Sequence, residues 1–241
     1  AERVLCCQPL DDGGVLPVRA TVASSRTGGG RPGWASAAGG LLRKTRFLVT
    51  DPPSFIASRL LGRFMGGVGR IGDEGTSLEV ADRAFGGVAP MPPFVLLGLV
   101  GPAIALHNNE SLHGAFPERF YVSESLRRLV AAGKPGFYLY PEGKPVLDPE
   151  VASMMEVPTE AVVLDSAEVR ERVLSALAQE ARLMLDEGVV AAPMDIDLAM
   201  ITGAGFPFWN GGLTPLLDRT GISEKVSGRR FLPVGVASVP G

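Results

Sequence analysis

An amphipathic helical segment interrupted by glycines constrains the fold of this chain more than any other feature. Between Phe55 and Ile71, apolar residues recur at helical spacing and arginines occupy the other face. Four glycines lie inside the segment, at Gly62, Gly66, Gly67 and Gly69. Each disfavours a helix by about 1 kcal/mol relative to alanine. The segment therefore requires tertiary packing, and its small residues allow a neighbouring element to come close.

The residues that mark helix starts and helix ends occur twice in the same order along the chain. Three pairs of positions, 113–115 residues apart, carry the match: Asp73-Glu74-Gly75 with Asp186-Glu187-Gly188, Asp82 with Asp197, and Pro93-Phe94 with Pro207-Phe208. Each match alone has little weight, but three in the same order at nearly one spacing indicate an internal duplication. The sequence therefore predicts an all-α fold of two tandem helical units.

Cap and loop signals give the expected boundaries of these units. Residues 1–41 are rich in Gly, Ser and Arg without periodicity, which is typical of a flexible or disordered segment. We expect the first helical domain at 42–140, a linker at 141–165 and the second helical domain at 166–241. Within them, Asp51, Thr76, Ser123 and Ser166 are the predicted helix N-caps.

Composition excludes several classes of function. The net charge of −3 in 241 residues gives no electrostatic reason for binding nucleic acid. The longest apolar run, Phe94–Leu106, is shorter than the roughly 20 residues that a membrane-spanning helix needs, and we expect a buried helix there. No apolar signal peptide is visible at the start, and Cys6 and Cys7 are adjacent, so a cytoplasmic location is expected.

Two candidate binding motifs have weak support. Residues 28–33, GGGRPG, fit the spacing of a dinucleotide-binding loop, but no strand-to-helix pattern surrounds them. His107, Glu110 and His113 could be taken for metal ligands, yet a separation of six residues puts the histidines on different helix faces. We therefore predict no cofactor-binding residues and no metal ligands in this chain.

Two segments carry a resemblance to a known family. Residues 51–109, from DPPSFIASRLLGRF to ALHNN, resemble the C-terminal helical domain of 3-hydroxyacyl-CoA dehydrogenases, more narrowly the α-subunit type of multifunctional fatty-acid β-oxidation enzymes. Residues 186–221, which include GAGFPFWNGG, resemble the second copy of that domain in the same subunits. The resemblance covers about residues 42–241.

The resemblance implies a chemistry that this chain alone does not complete. In the family, a Rossmann domain binds NAD, and a His–Glu pair removes the hydroxyl proton while hydride passes to the nicotinamide. Only about 40 residues precede the match, and Leu42–Thr50 resembles just the last strand of such a domain. NAD is thus expected for the complete enzyme, with none bound by this chain alone. His107 and His113, the only histidines, lie inside the helical unit.

The resemblance also points to site residues. Ser58 occupies the position of a family asparagine that contacts the reacting group, in a segment that usually reads P-G-F-x-x-N-R. Met91, Pro92, Pro93 and Phe94 resemble the segment near the acyl end of the substrate cleft. The alternatives are an ordinary polar residue at a helix start for Ser58 and plain core packing for the others.

Two functions follow, from different classes. The first is the C-terminal substrate-cleft and dimerisation portion of an NAD-dependent 3-hydroxyacyl-CoA dehydrogenase of fatty-acid β-oxidation, inactive alone. Its partners would be the 3-hydroxyacyl-CoA and 3-oxoacyl-CoA substrate class and a second copy or another subunit of a β-oxidation complex. The alternative is a non-catalytic module that binds acyl-CoA or another protein.

Overall fold

The structure is a computed structural model that describes residues 6–9, 18–22, 45–49, 53–155 and 158–236. The chain divides into two compact units. The central unit is Ser58–Leu177, and the terminal unit combines Ala1–Ala57 with Ala178–Gly241. The predicted domain ranges 42–140 and 166–241 stay a prediction. The predicted linker at 141–165 contributes a strand and a helix to the central unit.

Helices make up most of the described residues, as the all-α prediction requires. The first six are α1 Ile56–Asp73, α2 Leu78–Ala84, α3 Pro93–Val100, α4 Pro102–Ala115, α5 Glu124–Ala131 and α6 Pro149–Met154. The remaining four are α7 Ser166–Asp186, α8 Pro193–Gly203, α9 Leu213–Arg219 and α10 Ile222–Ser227. Short 3₁₀ turns occur at Pro141–Gly143 and Phe208–Asn210.

Two small sheets accompany the helices. In the terminal unit, β1 Cys6–Pro9 pairs antiparallel with β2 Val18–Val22, which pairs parallel with β3 Thr45–Val49. The central unit contains the antiparallel pair β4 Tyr138–Leu139 and β5 Val146–Leu147. The strand expected within residues 42–50 is confirmed by β3. β1 and β2 lie within residues 1–41; the rest of that segment, which is predicted to be flexible, lies outside the described residues.

The glycines of α1 have the packing role that the sequence predicts. A Cβ atom added at Gly62 would lie 2.5 Å from Cδ1 of Leu112 and 2.8 Å from Nδ2 of Asn108, both on α4. A Cβ atom at Gly69 would lie 2.9 Å from Cβ of Ser123. These distances are shorter than van der Waals contact, so glycine is what permits the close approach of α4 and the start of α5.

The predicted helix caps are correct at one position and displaced at two. Oγ of Ser123 accepts the backbone N–H of Leu126 at 3.2 Å and caps α5, as predicted. Ser77, not Thr76, caps α2, because Thr76 is buried and bridges Val162 and Leu164. Asp165 accepts the first amides of α7, so Ser166 is already its first helical residue. The predicted cap at Asp51 lies outside the described residues.

The apolar run that was expected to form one buried helix forms two helices. Gly101, at φ 95°, separates α3 from α4, and Pro102 occupies the first position of α4. Helix α4 continues to Ala115, past the end of the apolar run at Leu106. Leu99 and Ile104 remain 71% and 66% exposed, so the run is not buried throughout. In the described residues, none of the helices combines the length and hydropathy required to cross a membrane.

The duplicated order is visible in the local structure of each unit, with one correction. Gly75 follows α1 and Gly188 follows α7, and both have positive φ, which glycine adopts readily at helix ends. Pro93-Phe94 begin α3, whereas Phe208 starts an exposed 3₁₀ turn and helix α9 begins only at Leu213. The second helix therefore starts later in the chain than its predicted start at Pro207-Phe208.

Candidate functional site

A pocket in the central unit lies between α1, α3 and α4. Its volume is about 160 Å³, smaller than the roughly 300–1,000 Å³ of sites for drug-sized ligands, so it has room for a small group such as a short acyl segment. Its lining is mostly apolar and contains three polar side chains, those of Ser58, Asn108 and Asn109. The other lining residues are Leu61, Gly62, Met65, Leu97, Val100, Ile104 and Ala105. A pocket of this composition suits an apolar ligand that carries a few polar groups.

The structure places Ser58, the predicted site residue, in this pocket. Ser58 is half-buried in the first turns of α1. Its backbone carbonyl accepts a hydrogen bond from Nδ2 of Asn108 at 3.2 Å. The Asn108 amide therefore ties α4 to the start of α1 at the polar part of the pocket. The catalytic role of Ser58 stays a prediction.

The other predicted site residues lie at the start of α3 and do not line the pocket. Pro93 and Phe94 are buried, and Met91 is half-buried. The Phe94 ring packs edge-on against Phe137 with centroids 4.9 Å apart. Their role at the acyl end of a cleft stays a prediction. Helix α3, which they begin, contributes Leu97 and Val100 to the pocket wall.

Asp82 fixes this start of α3. Its Oδ1 accepts the Phe94 N–H at 2.9 Å, and its Oδ2 accepts the hydroxyl of Tyr138 at 2.6 Å. Burial raises the pKa of the Asp82 carboxyl, although both hydrogen bonds oppose the rise. Burial, followed by the hydrogen bond to Asp82, raises the pKa of Tyr138 as well. The carboxylate therefore caps α3 and anchors it to the strand of Tyr138.

Asn108 and Asn109 are pocket residues that the sequence did not single out. The apolar run Phe94–Leu106, over which the sequence predicts a helix, ends just before them. In the structure they lie within α4. The signal that could have found them is helical spacing, because Ile104, Ala105, Asn108, Asn109 and Leu112 follow the i, i+1, i+4, i+5, i+8 pattern of one helix face.

The candidate metal ligands do not form a metal site in the structure. His107, Glu110 and His113 are exposed on α4, and Nδ1 of His113 lies 2.7 Å from the carbonyl oxygen of Phe120. Glu110 instead pairs with Arg127 at 3.2 Å. Among the residues that the structure describes, no group of three or more His, Cys, Asp or Glu could hold a metal ion.

The N-terminus of α9 does not fit the phosphates of NAD. The glycine-rich residues 28–33 lie outside the described residues. Helix α9 follows the paired glycines Gly211 and Gly212, but Asp197 already occupies its N-terminus. Oδ1 of Asp197 accepts the Thr214 N–H at 2.7 Å, and Oδ2 accepts the Thr214 hydroxyl at 2.6 Å. A carboxylate at this helix start excludes a phosphate by occupying the same amide.

Comparison with known proteins gives consistent results. Residues 55–138 match the family described as 3-hydroxyacyl-CoA dehydrogenase, C-terminal domain. Over 202 residues the chain is 30% identical to the fatty acid oxidation complex subunit alpha of Acinetobacter baylyi, a match that takes 76% of this chain and 28% of that relative. The chain thus spans less than a third of that curated relative.

Two solved structures share the fold. 3-Hydroxybutyryl-CoA dehydrogenase from Escherichia coli K12 superposes with a TM-score of 0.69 at 18% identity, over 98% of this chain and 70% of that one. The dehydrogenase part of multifunctional enzyme 1 from C. elegans has a TM-score of 0.55 at 15% identity, over 95% and 57% of the two chains. At these identities the likeness concerns the fold alone.

Proposed function

We propose that this chain supplies the acyl-binding side of the substrate cleft of a 3-hydroxyacyl-CoA dehydrogenase, because residues 55–138 match the C-terminal domain family of these enzymes. The reaction is the NAD-dependent oxidation of 3-hydroxyacyl-CoA to 3-oxoacyl-CoA in fatty-acid oxidation. The curated relative is a subunit of a fatty acid oxidation complex, which supports this substrate class. A cytoplasmic location belongs to the same proposal.

The pocket between α1, α3 and α4 is the observation that carries this proposal. It unites Ser58, the residue at the family's asparagine position, with an apolar wall that includes Leu61, Leu97 and Val100. An acyl chain gains about 0.8 kcal/mol for each methylene group that such a wall buries. The polar end at Ser58 would meet the oxygen-bearing carbons of the acyl group, and the apolar wall would meet its tail.

Met91, Pro93 and Phe94 have an indirect role in this proposal. They begin α3, and Asp82 holds that beginning through the Phe94 amide. Since Leu97 and Val100 lie one and two turns further along α3, the position of this helix start determines the width of the pocket.

NAD and the catalytic base are supplied outside these 241 residues in the proposed enzyme. The two histidines are exposed on α4 rather than in the pocket lining, so neither is placed to act as the base. The isolated chain should form no NADH from a 3-hydroxyacyl-CoA and NAD. Steady NADH formation above the background without protein would contradict this part of the proposal.

A second candidate, a non-catalytic interaction module, has an observation of its own. Leu99, Val100 and Ile104 are exposed apolar residues, of which Val100 and Ile104 also line the pocket, and such groups are typical of surfaces that bind another protein. A second copy or another subunit of the oxidation complex could cover them. Light scattering at high protein concentration tests whether a second copy covers them, because a strict monomer would contradict self-association.

Binding of hexanoyl-CoA tests the acyl-binding proposal, with two matched variants. Val100→Asp places a charge in the pocket wall, whereas Val163→Asp makes the same change at a site that does not line the pocket and is 73% exposed. By titration calorimetry, V100D should bind the ester at least tenfold more weakly than the wild type, because an unpaired charge resists burial beside an acyl chain. V163D should match the wild type. Equal affinity of V100D and the wild type would refute the assignment of the pocket.

A further inference from the structure

The pocket between α1, α3 and α4 opens beside Ser58. Each of the three helices contributes a lining residue with exposed surface there. Ser58 on α1 is half-buried, and Val100 on α3 and Ile104 on α4 are 40% and 66% exposed. The Asn108 amide, which donates a hydrogen bond to the Ser58 carbonyl, lies at the same end. An acyl chain therefore enters past Ser58, with its polar group next to Ser58 and Asn108.

The opposite end of the pocket is closed. The same three helices contribute buried lining residues there, Met65 on α1, Leu97 on α3 and Ala105 on α4, which are 7%, 3% and 8% exposed. Met65 follows Ser58 by seven residues, which corresponds to about 10 Å along the axis of α1. It is the last lining residue of α1, so an acyl chain that enters past Ser58 ends against it.

The packed core of the central unit lies behind Met65. Val68, the next apolar residue of α1, is 1% exposed. One turn further along, a Cβ atom at Gly72 would lie 3.7 Å from Cζ of Phe94 at the start of α3, and Phe94 is 2% exposed. The two helices are thus in contact beyond the pocket. Because packed cores contain few voids larger than a water molecule, a longer ligand cannot extend in this direction.

The volume of the pocket sets the size of the group that it holds. An apolar cavity of about 150 Å³ accommodates benzene, a ligand of about six carbon atoms. The pocket, at about 160 Å³, is nearly equal to that cavity in volume. An acyl chain of similar size therefore fills the pocket. The further methylene groups of a longer chain stay in water and gain none of the free energy of apolar burial.

We propose that the pocket accepts acyl chains of up to about six carbon atoms and that Met65 determines this limit. The proposal rests on the acyl-binding function above and narrows its substrate class to CoA esters of short acyl chains. A methionine side chain is unbranched and flexible, so it fills the irregular closed end of the pocket. Truncation of this side chain would deepen the pocket without adding a polar group.

Calorimetric titrations of the wild-type protein with butyryl-, hexanoyl-, octanoyl- and decanoyl-CoA test the limit. From butyryl to hexanoyl, the affinity should rise about fourfold for each methylene group, because each one is buried. From hexanoyl to decanoyl, it should change by no more than about twofold in total. Binding of none of the esters would contradict the acyl-binding function itself. A rise of about fourfold per methylene that continues to decanoyl would leave that function standing and overturn the limit.

Two matched variants then assign the limit to Met65. Met65→Ala deepens the pocket, so this variant should bind octanoyl-CoA at least about fivefold more tightly than hexanoyl-CoA. Met184→Ala makes the same change at a buried residue that does not line the pocket, and its affinities should level off at hexanoyl-CoA as in the wild type. An unchanged limit in M65A, or the same shift in M184A, would overturn the role of Met65.

Ala105→Val tests the limit in the opposite direction without truncating a core residue. The added methyl groups reduce the space at the closed end, so hexanoyl-CoA should bind at least about fivefold more weakly and butyryl-CoA within about twofold of the wild type. Equal affinities of A105V and the wild type for hexanoyl-CoA would contradict the assignment of the closed end. Thermal unfolding verifies that the variants fold, and the wild-type series stands without them.

Discussion

The hydroxyl of Tyr138 donates a 2.6 Å hydrogen bond to Oδ2 of Asp82, whose other oxygen accepts the first free amide of α3 at Phe94. The same motif recurs in the terminal unit, where Asp197 accepts the Thr214 amide at the start of α9. In each unit, an aspartate from one helix caps the next helix. The duplication in the sequence therefore corresponds to a repeated capping interaction.

The stability of the protein should depend on the protonation of Asp82. Burial raises the folded-state pKa of Asp82 above its ordinary value of 3.8, so the folded state binds this proton more readily than the unfolded state. The resulting contribution to stability is complete below pH 3.8 and is lost as the pH rises through the folded-state pKa. As the pH falls from 7 to 4, the free energy of unfolding of the wild type should therefore rise relative to that of the Asp82→Asn variant.

Urea unfolding of both proteins at several pH values measures this difference. The D82N variant cannot titrate at this position, so other acidic groups that are common to both proteins cancel in the comparison. A gap that stays constant with pH, or that changes in the opposite direction, would show that burial does not dominate the environment of Asp82.

Glu74 should have the opposite pH dependence. Its carboxylate accepts hydrogen bonds from Nη2 of Arg172 at 2.9 Å and from Nε of Arg70 at 2.8 Å. The Arg172 hydrogen bond, opposed by burial and supported by Arg70, lowers the folded-state pKa of Glu74 below 4.5. The contribution to stability is therefore present above pH 4.5 and lost as the pH falls through the lower folded-state value.

Glu74→Gln should lower the free energy of unfolding by about 1 kcal/mol at pH 7, because hydrogen bonds to a charged group are lost. The deficit should shrink as the pH falls below 4.5. Glu160→Gln makes the same change at an exposed position and should stay within about 0.5 kcal/mol of the wild type. Equal unfolding midpoints for E74Q and E160Q at pH 7 would contradict a stabilising role for the Arg172 pair.

The close approach of α1 and α4 should depend on glycine at position 62. Gly62→Ala places a methyl group 2.5 Å from Cδ1 of Leu112, so we expect a loss of about 1–3 kcal/mol of unfolding free energy through overpacking. Gly114→Ala is the matched control, since a Cβ atom there meets nothing within 4 Å. It should stabilise α4 by up to about 1 kcal/mol. Denaturant unfolding that shows G62A as stable as G114A would refute the packing argument.

Local sequence signals predicted much of the helical framework. Some features depend on interactions within a few residues and can therefore be predicted from the sequence. They are the glycine-containing pattern of α1, the Ser123 cap and Gly188 at the end of α7. The cap of α2 was misplaced by one residue because Thr76 makes its hydrogen bonds with Val162 and Leu164, far away in the chain. Such long-range partners leave no local pattern.

The candidate site was predictable only in part for the same reason. Ser58 was found through the family resemblance, and the structure places it in a pocket. Asn109 was missed because two properties distinguish it, its burial beside Gly62 and Gly66 and an amide oxygen that accepts no hydrogen bond from the described residues. Neither property can be deduced from residue type and spacing. The continuation of α4 beyond Asn109 also concealed that this residue faces the core.

The location of the bound acyl chain tests the central claim most directly. With ¹³C-labelled methionine methyl groups, Met65 reports on the pocket lining, whereas Met91 reports on the start of α3 that the family resemblance singled out. Met65→Leu and Met91→Leu spectra assign the two resonances. On titration with hexanoyl-CoA, the Met65 methyl resonance should shift in proportion to occupancy, and the resonance of Met184, a core residue that does not line the pocket, should stay in place. Saturable binding of the ester with an unchanged Met65 resonance would contradict the assignment of this pocket as the acyl-binding site.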